Sequence, residues 1–156
     1  MKKLLVVPLA ALCAVPVLAA ATKNPLVPTF IQHLVQRKTT SLAYAPTRAP
    51  SGYRYLSYTW NAGGKRLTIR LHDKHYATSN TRHTAVFTAT PFAGALAGCS
   101  AGKQKTIQYA GNKVYWDGAV AWRCVKGLHG NVKLAATGPT LPDVGLALVV
   151  SSAKRL

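Results

Sequence analysis

The segment Lys65-Arg66-Leu67-Thr68-Ile69-Arg70-Leu71-His72 alternates apolar and polar side chains without a break. That period of two suits an extended strand with one buried face. Tyr53-Arg54-Tyr55-Leu56-Ser57-Tyr58-Thr59-Trp60 precedes it, dense in aromatics, and Asn61-Ala62-Gly63-Gly64 between them supplies residues able to adopt positive φ. The two runs read as a β-hairpin. Leu67, Ile69 and Leu71 then face a core, which forces Arg66, Thr68, Arg70 and His72 onto the opposite face.

More strands are expected downstream, the first near Thr84 to Thr90. Four shorter runs follow at Thr106–Ala110, Lys113–Trp116, Ala119–Lys126 and Val132–Ala136. Gly111-Asn112, Asp117-Gly118 and Gly127-Leu128-His129-Gly130 separate them, with Asn112 or Asp117 suited to the turn geometry. The spacing predicts an antiparallel meander, and residues 91–98 fit either a short helix or a loop. Helical signals flank these strands. In Pro28–Lys38, Val27, Phe30, Ile31, Leu34 and Val35 fall on one helical face, with Pro28 in the first turn and Arg37 and Lys38 at the end. In Leu141–Arg155, Pro142 and Asp143 mark a helix start, and Lys154 and Arg155 suit its C-terminal end. The loop between, Thr39 to Gly52, carries Pro46 and Pro50 and predicts no regular structure. The fold class is α+β: a twisted antiparallel sheet of about six to seven strands with an N-terminal and a C-terminal helix packed on it.

Lys2 and Lys3 precede an uncharged apolar run from Leu4 to Val17, and Leu18-Ala19-Ala20-Ala21 offers small residues for a signal peptidase. The run is shorter than the roughly 20 apolar residues a spanning helix needs. Residues 1–21 therefore read as a signal peptide that takes Cys13 with it. Residues 22–156 form one domain, divided into a helix-and-loop segment (22–52) and a sheet with its C-terminal helix (53–156). Export changes how cysteines are read, because the compartment permits disulfides. Cys99 and Cys124 remain, with no C-x-x-C spacing to favour a metal, and pair as a disulfide.

Three constellations invite a chemical reading. Gly98-Cys99-Ser100-Ala101-Gly102 matches a nucleophile elbow by letter, and Asp117 and His129 follow in the order a hydrolase requires. The residues after Gly102 alternate like a strand, however, where that elbow needs a helix. His72 and His75 flank Asp73, and His83 follows, but the spacing fits no standard zinc site, and Lys74 and Arg82 would repel a cation. These histidines are expected in exposed loops, without metal or other cofactor. A pair of carboxylates for glycoside hydrolysis would have to come from three scattered aspartates. No catalytic residue is expected.

The order of motifs, from "APSGYRYLSYTW" through "GNKVYW" and "AWRC" to a terminal "VVSSAKR", resembles small secreted domains of unknown function in Gram-positive bacteria. Some of those accompany anti-sigma-type membrane proteins, and the strand-rich layout is similar to lipoprotein-carrier sheets. The resemblance implies a sheet domain of the cell envelope and assigns no functional residue.

Charge carries the functional expectation. Beyond the signal segment, eighteen Lys and Arg stand against Asp73, Asp117 and Asp143, with no glutamate anywhere. Such an imbalance draws a protein to polyanions and membrane surfaces. Arg66, Arg70, Lys74 and Arg82 are the candidate anion contacts, with Tyr53 and Tyr55 as aromatic neighbours able to stack on sugars or bases. No nucleic-acid module signature is present. The leading expectation is a secreted, non-catalytic module binding an anionic cell-envelope polymer or a membrane surface. A sheet-and-helix domain binding an apolar or lipid ligand, and a small hydrolase using Ser100, Asp117 and His129, are the alternatives. The oligomeric state is not legible.

Overall fold

A computed structural model describes residues 23–61, 63, 65–76 and 81–156. The signal segment expected at 1–21 lies outside them. Helix α1 (Thr29–Lys38) and a two-residue strand β1 (Tyr44–Ala45) come first. Seven strands follow: β2 (Arg54–Asn61), β3 (Arg66–His72), β4 (Thr84–Phe92), β5 (Lys105–Tyr109), β6 (Asn112–Trp116), β7 (Val120–Lys126) and β8 (Asn131–Thr137). Helix α2 (Asp143–Ser152) and strand β9 (Lys154–Arg155) close the chain. Strands β2 to β8 form one antiparallel sheet in the order β2-β3-β4-β8-β7-β6-β5, and β1 pairs with β9. The architecture is α+β, dominated by antiparallel sheet.

Register decides which residues share a face, because directly paired residues project to the same side. Tyr55, Tyr58 and Trp60 of β2 lie opposite Leu71, Ile69 and Leu67 of β3. Those in turn lie opposite Ala85, Phe87 and Ala89 of β4. Phe87 and Ala89 continue to Ala136 and Leu134 of β8. This inner face meets α2, whose Leu146, Ala147, Val149 and Val150 are buried with Val114, Val132 and Leu134 in one apolar cluster. Val27, Ile31 and Val35 belong to the same cluster, whereas Phe30 is 65% exposed and Leu34 37%. The helical face expected to be wholly buried is thus split down its length.

Three further expectations are corrected. The Pro-rich loop contains the buried run Leu42-Ala43-Tyr44-Ala45, part of it a strand paired across the chain to Lys154–Arg155. That pairing stops α2 at Ser152, so Lys154 and Arg155 do not cap it. The last carbonyls of α2 are satisfied instead from other elements. Asn112 Nδ2 donates to Ser151 O at 3.4 Å, Thr47 Oγ1 to Ser152 O at 2.8 Å, and Arg123 Nη2 to Ala153 O at 2.9 Å. A helix end buried without such partners would leave orphan acceptors. The β5–β6 turn also sits one residue early: Ala110 (φ 47°) and Gly111 (φ 76°) occupy its centre, and Asn112 begins the strand. Positive φ at both central residues is the turn that matches strand twist.

Candidate anion-binding face

The outer face of the sheet follows from the same register. Arg54, Ser57, Thr59 and Asn61 of β2 lie opposite His72, Arg70, Thr68 and Arg66 of β3. Thr68 continues to Thr88, and Thr90 of β4 lies opposite Lys133 of β8. Strands sit about 4.8 Å apart, so Arg66 and Lys133, two strands apart, are separated by about 10 Å across the sheet. Arg66 and Arg70 stand about 13 Å apart along their strand. Arg70 Nη1 donates to Thr59 Oγ1 at 3.3 Å, which holds the guanidinium over β2. Lys133 Nζ lies 4.8 Å from the centre of the Trp122 ring.

Beyond β8 this face is partly covered. The 3₁₀ turn Leu96–Ser100 packs on β7 and carries Cys99, bonded to Cys124 at an S–S distance of 2.08 Å. Trp122, 3% exposed, donates its Nε1–H to Cys99 O at 2.6 Å. The open surface is therefore β2-β3-β4-β8, lined by arginines, a lysine and threonines.

No strand of the sheet contains an Asp or Glu. Its cations sort by face. On the inner face, Lys105 pairs with Asp143 and lies 4.6 Å from the centre of the Trp116 ring, while Arg123 bonds Asn112 and caps α2. Burial lowers the Arg123 pKa from its ordinary value. Both cations are thus engaged by partners on the helix side of the sheet. Arg54, Arg66 and Arg70 face outward with no ion pair to a carboxylate among the described residues, and Lys133 faces outward near Asp117, whose pKa its charge helps to lower. This placement separates the predicted residues. Lys74 and Arg82 lie at the end of the sheet where His72 meets Thr84, and Arg66 lies at the other end. Tyr55 shares the inner face with Leu71, and Tyr53 packs on the core, so neither stands beside the outer arginines. Arg54 and Lys133, which the sequence reading did not single out, do.

The histidines are organised rather than loose. Asp73 Oδ2 lies 3.0 Å from His83 Nδ1, and Asp73 Oδ1 accepts the His75 backbone N–H at 2.8 Å. The His75 and His83 rings are 5.6 Å apart. Among the described residues, no group of three His, Cys, Asp or Glu is arranged to hold a metal ion. The serine constellation does not assemble. Ser100 Oγ reaches Ala97 O at 3.4 Å, and Asp117 Oδ1 accepts the N–H groups of Ala119 and Val120 in the β6–β7 turn. His129 lies in the β7–β8 turn, at the far end of a seven-residue strand spanning about 20 Å.

All three carboxyls titrate below their ordinary value. For Asp73, burial opposes ionisation, but the bonds from His83 and the His75 N–H outweigh it. Asp117 is lowered by the Ala119 and Val120 N–H groups, and Asp143 by Lys105 and the Val144 N–H. A depressed folded pKa stabilises the fold above the unfolded carboxyl range, and that contribution is lost as pH falls through the folded value. A melting temperature followed from pH 6 downwards should therefore fall once the pH drops below about 4. A rise below that pH would contradict the assignment.

In comparison with known proteins, no family model, curated protein or solved structure matches the chain.

Proposed function

We propose that this chain is an exported, non-catalytic binding module whose outer sheet face engages an extended anionic surface or polymer. Both helices lie on the inner side in this reading, α1 through Val27, Ile31 and Val35, which leaves β2-β3-β4-β8 free to meet a ligand. The observation that carries it is the sorting of cations. Those on the inner face are spent on Asp143 and on the end of α2, while Arg54, Arg66 and Arg70 face outward with no ion pair to a carboxylate among the described residues, and Lys133 extends the face toward Asp117. Like charges held together cost self-repulsion, which an anionic partner relieves. Their spacing suits separate charges on a polymer or headgroup array better than one small anion, and Thr59, Thr88 and Thr90 on the same face offer hydroxyls to phosphate or sugar oxygens, whereas Thr68 is buried.

Outside a cell such partners are anionic envelope polymers and acidic lipid headgroups. Among the described residues no helix is long and apolar enough to cross a membrane. Co-sedimentation with vesicles tests the reading. The protein should bind vesicles rich in acidic phospholipid and leave neutral ones in solution. Binding should collapse between 0.15 and 1 M salt, as the screening length shrinks from about 8 to about 3 Å. Equal binding to neutral vesicles would overturn it.

A further inference from the structure

Three segments far apart in sequence meet at the C-terminal end of α2. Asn24, 5% exposed, accepts the Leu26 and Val27 N–H groups on Oδ1 and donates through Nδ2 to Pro46 O at 3.1 Å. Thr47 Oγ1 donates to Ser152 O, and the Arg48 N–H donates to Ser152 Oγ at 3.1 Å. β9 pairs with β1, which ends just before Pro46. The frame is fixed by backbone and short side chains, and each segment brings a cation to it. Lys23, Arg48, Lys154 and Arg155 line one cavity of about 220 Å³. A second cavity of about 260 Å³ shares Thr47, Arg48 and Lys154 and continues past Tyr109, Ser151 and Ser152.

No aspartate answers these charges. Asp73 is engaged by His83, Asp117 by its own turn and Asp143 by Lys105. The end of α2 would itself repel an anion through its partial negative charge. Its last carbonyls, however, are covered by Asn112, Thr47 and Arg123. Four full positive charges then outweigh about half a negative charge at the helix end and the carboxylate of Leu156 beside Arg155. Guanidinium and ammonium groups converging from separate segments match a phosphate, which accepts several charge-assisted hydrogen bonds at once. In the neighbouring cavity the Thr47, Ser151 and Ser152 hydroxyls already donate to backbone carbonyls, so they can only accept from a polyol, and Tyr109 supplies the hydroxyl able to donate.

We propose that these joined cavities bind a phosphorylated polyol or sugar, with the phosphate among Lys23, Arg48, Lys154 and Arg155 and the hydroxyls beside Tyr109 and Ser152. The site lies on the helix side of the sheet, so it goes beyond the sheet-face reading and stands or falls separately.

Titration calorimetry with glycerol phosphate, inorganic phosphate and glycerol tests it. Glycerol phosphate should bind about tenfold tighter than inorganic phosphate, the gain of about one hydroxyl hydrogen bond, and glycerol alone should not bind. Arg48→Ser with Lys154→Ser should weaken glycerol phosphate about 100-fold, because two charge-assisted contacts are lost. Both side chains are exposed and lie outside the hydrogen-bonded frame, so the melting temperature of the free protein should hold. Arg155→Ser alone supplies a milder variant in which the affinity must also fall. Arg66→Ser with Arg70→Ser should leave this affinity unchanged, whatever it does to vesicle binding. Equal affinity for phosphate and glycerol phosphate would overturn the polyol subsite. Unchanged affinity in the Arg48 and Lys154 variant, or a loss in the Arg66 and Arg70 variant, would overturn the location.

Discussion

Reduction of the Cys99–Cys124 bridge is expected to lower the melting temperature by about 12 °C. The bridge links residues 25 apart. Closing a loop of that length stabilises the native state by about 3.5 kcal/mol in the chain-entropy model. For a domain of this size, each kcal/mol shifts the midpoint by roughly 3–4 °C. The expectation has a local side as well. Cys99 sits in the turn Leu96–Ser100 that packs on β7 and receives the Trp122 Nε1–H. A thermal melt with and without reductant, with tryptophan emission followed alongside, should show the lower midpoint. Cys99→Ala with Cys124→Ala should reproduce it without reductant. An unchanged midpoint in both cases would mean that packing of the turn on Trp122 holds this corner and the bridge adds nothing.

Phe87→Ala should cost more still, about 4 kcal/mol, in the range found when a buried aromatic is cut to a methyl group. Phe87 is fully buried on β4, the strand joining the hairpin β2-β3 to β8 and the rest of the sheet. Its pairing with Ile69 on one side and Ala136 on the other makes the large ring fill space that neighbouring alanines leave open. Removal therefore leaves a cavity that these small residues cannot close. Denaturant unfolding should show a lower midpoint with an unchanged slope, and Phe87→Leu should recover most of the loss. A cost below about 1 kcal/mol for the alanine variant would place the centre of the core elsewhere.

Features recorded in local sequence were legible; features that depend on distant partners were not. Alternation in 65–72 located β3 and assigned Leu67, Ile69 and Leu71 inward, because a period of two needs no knowledge of the rest of the chain. The four short strands after residue 104 were marked by their turns to within about a residue or two. The strap at Leu42–Ala45 was missed because its partner lies some hundred residues away, and Pro46 disguised it as a loop. The same pairing took Lys154 and Arg155 from α2, whose cap is assembled from Thr47, Asn112 and Arg123 on three other segments. The candidate face divided likewise. Arg66 and Arg70 could be placed by alternation alone. Lys133 enters only through the order β3-β4-β8, and Tyr55 turns inward because β2 carries an irregularity between Tyr55 and Ser57.

The basic sheet face is tested most directly by titrating acidic phospholipid vesicles with wild-type protein and with the Arg66→Ser, Arg70→Ser double variant at low salt. Each cation near an anionic membrane surface contributes about 1 kcal/mol, so the variant should bind about 30-fold more weakly. Its melting temperature should stay close to that of wild type, because outward-facing charges contribute little to folding. Wild-type affinity in a folded double variant would contradict the assignment of this face as the binding surface.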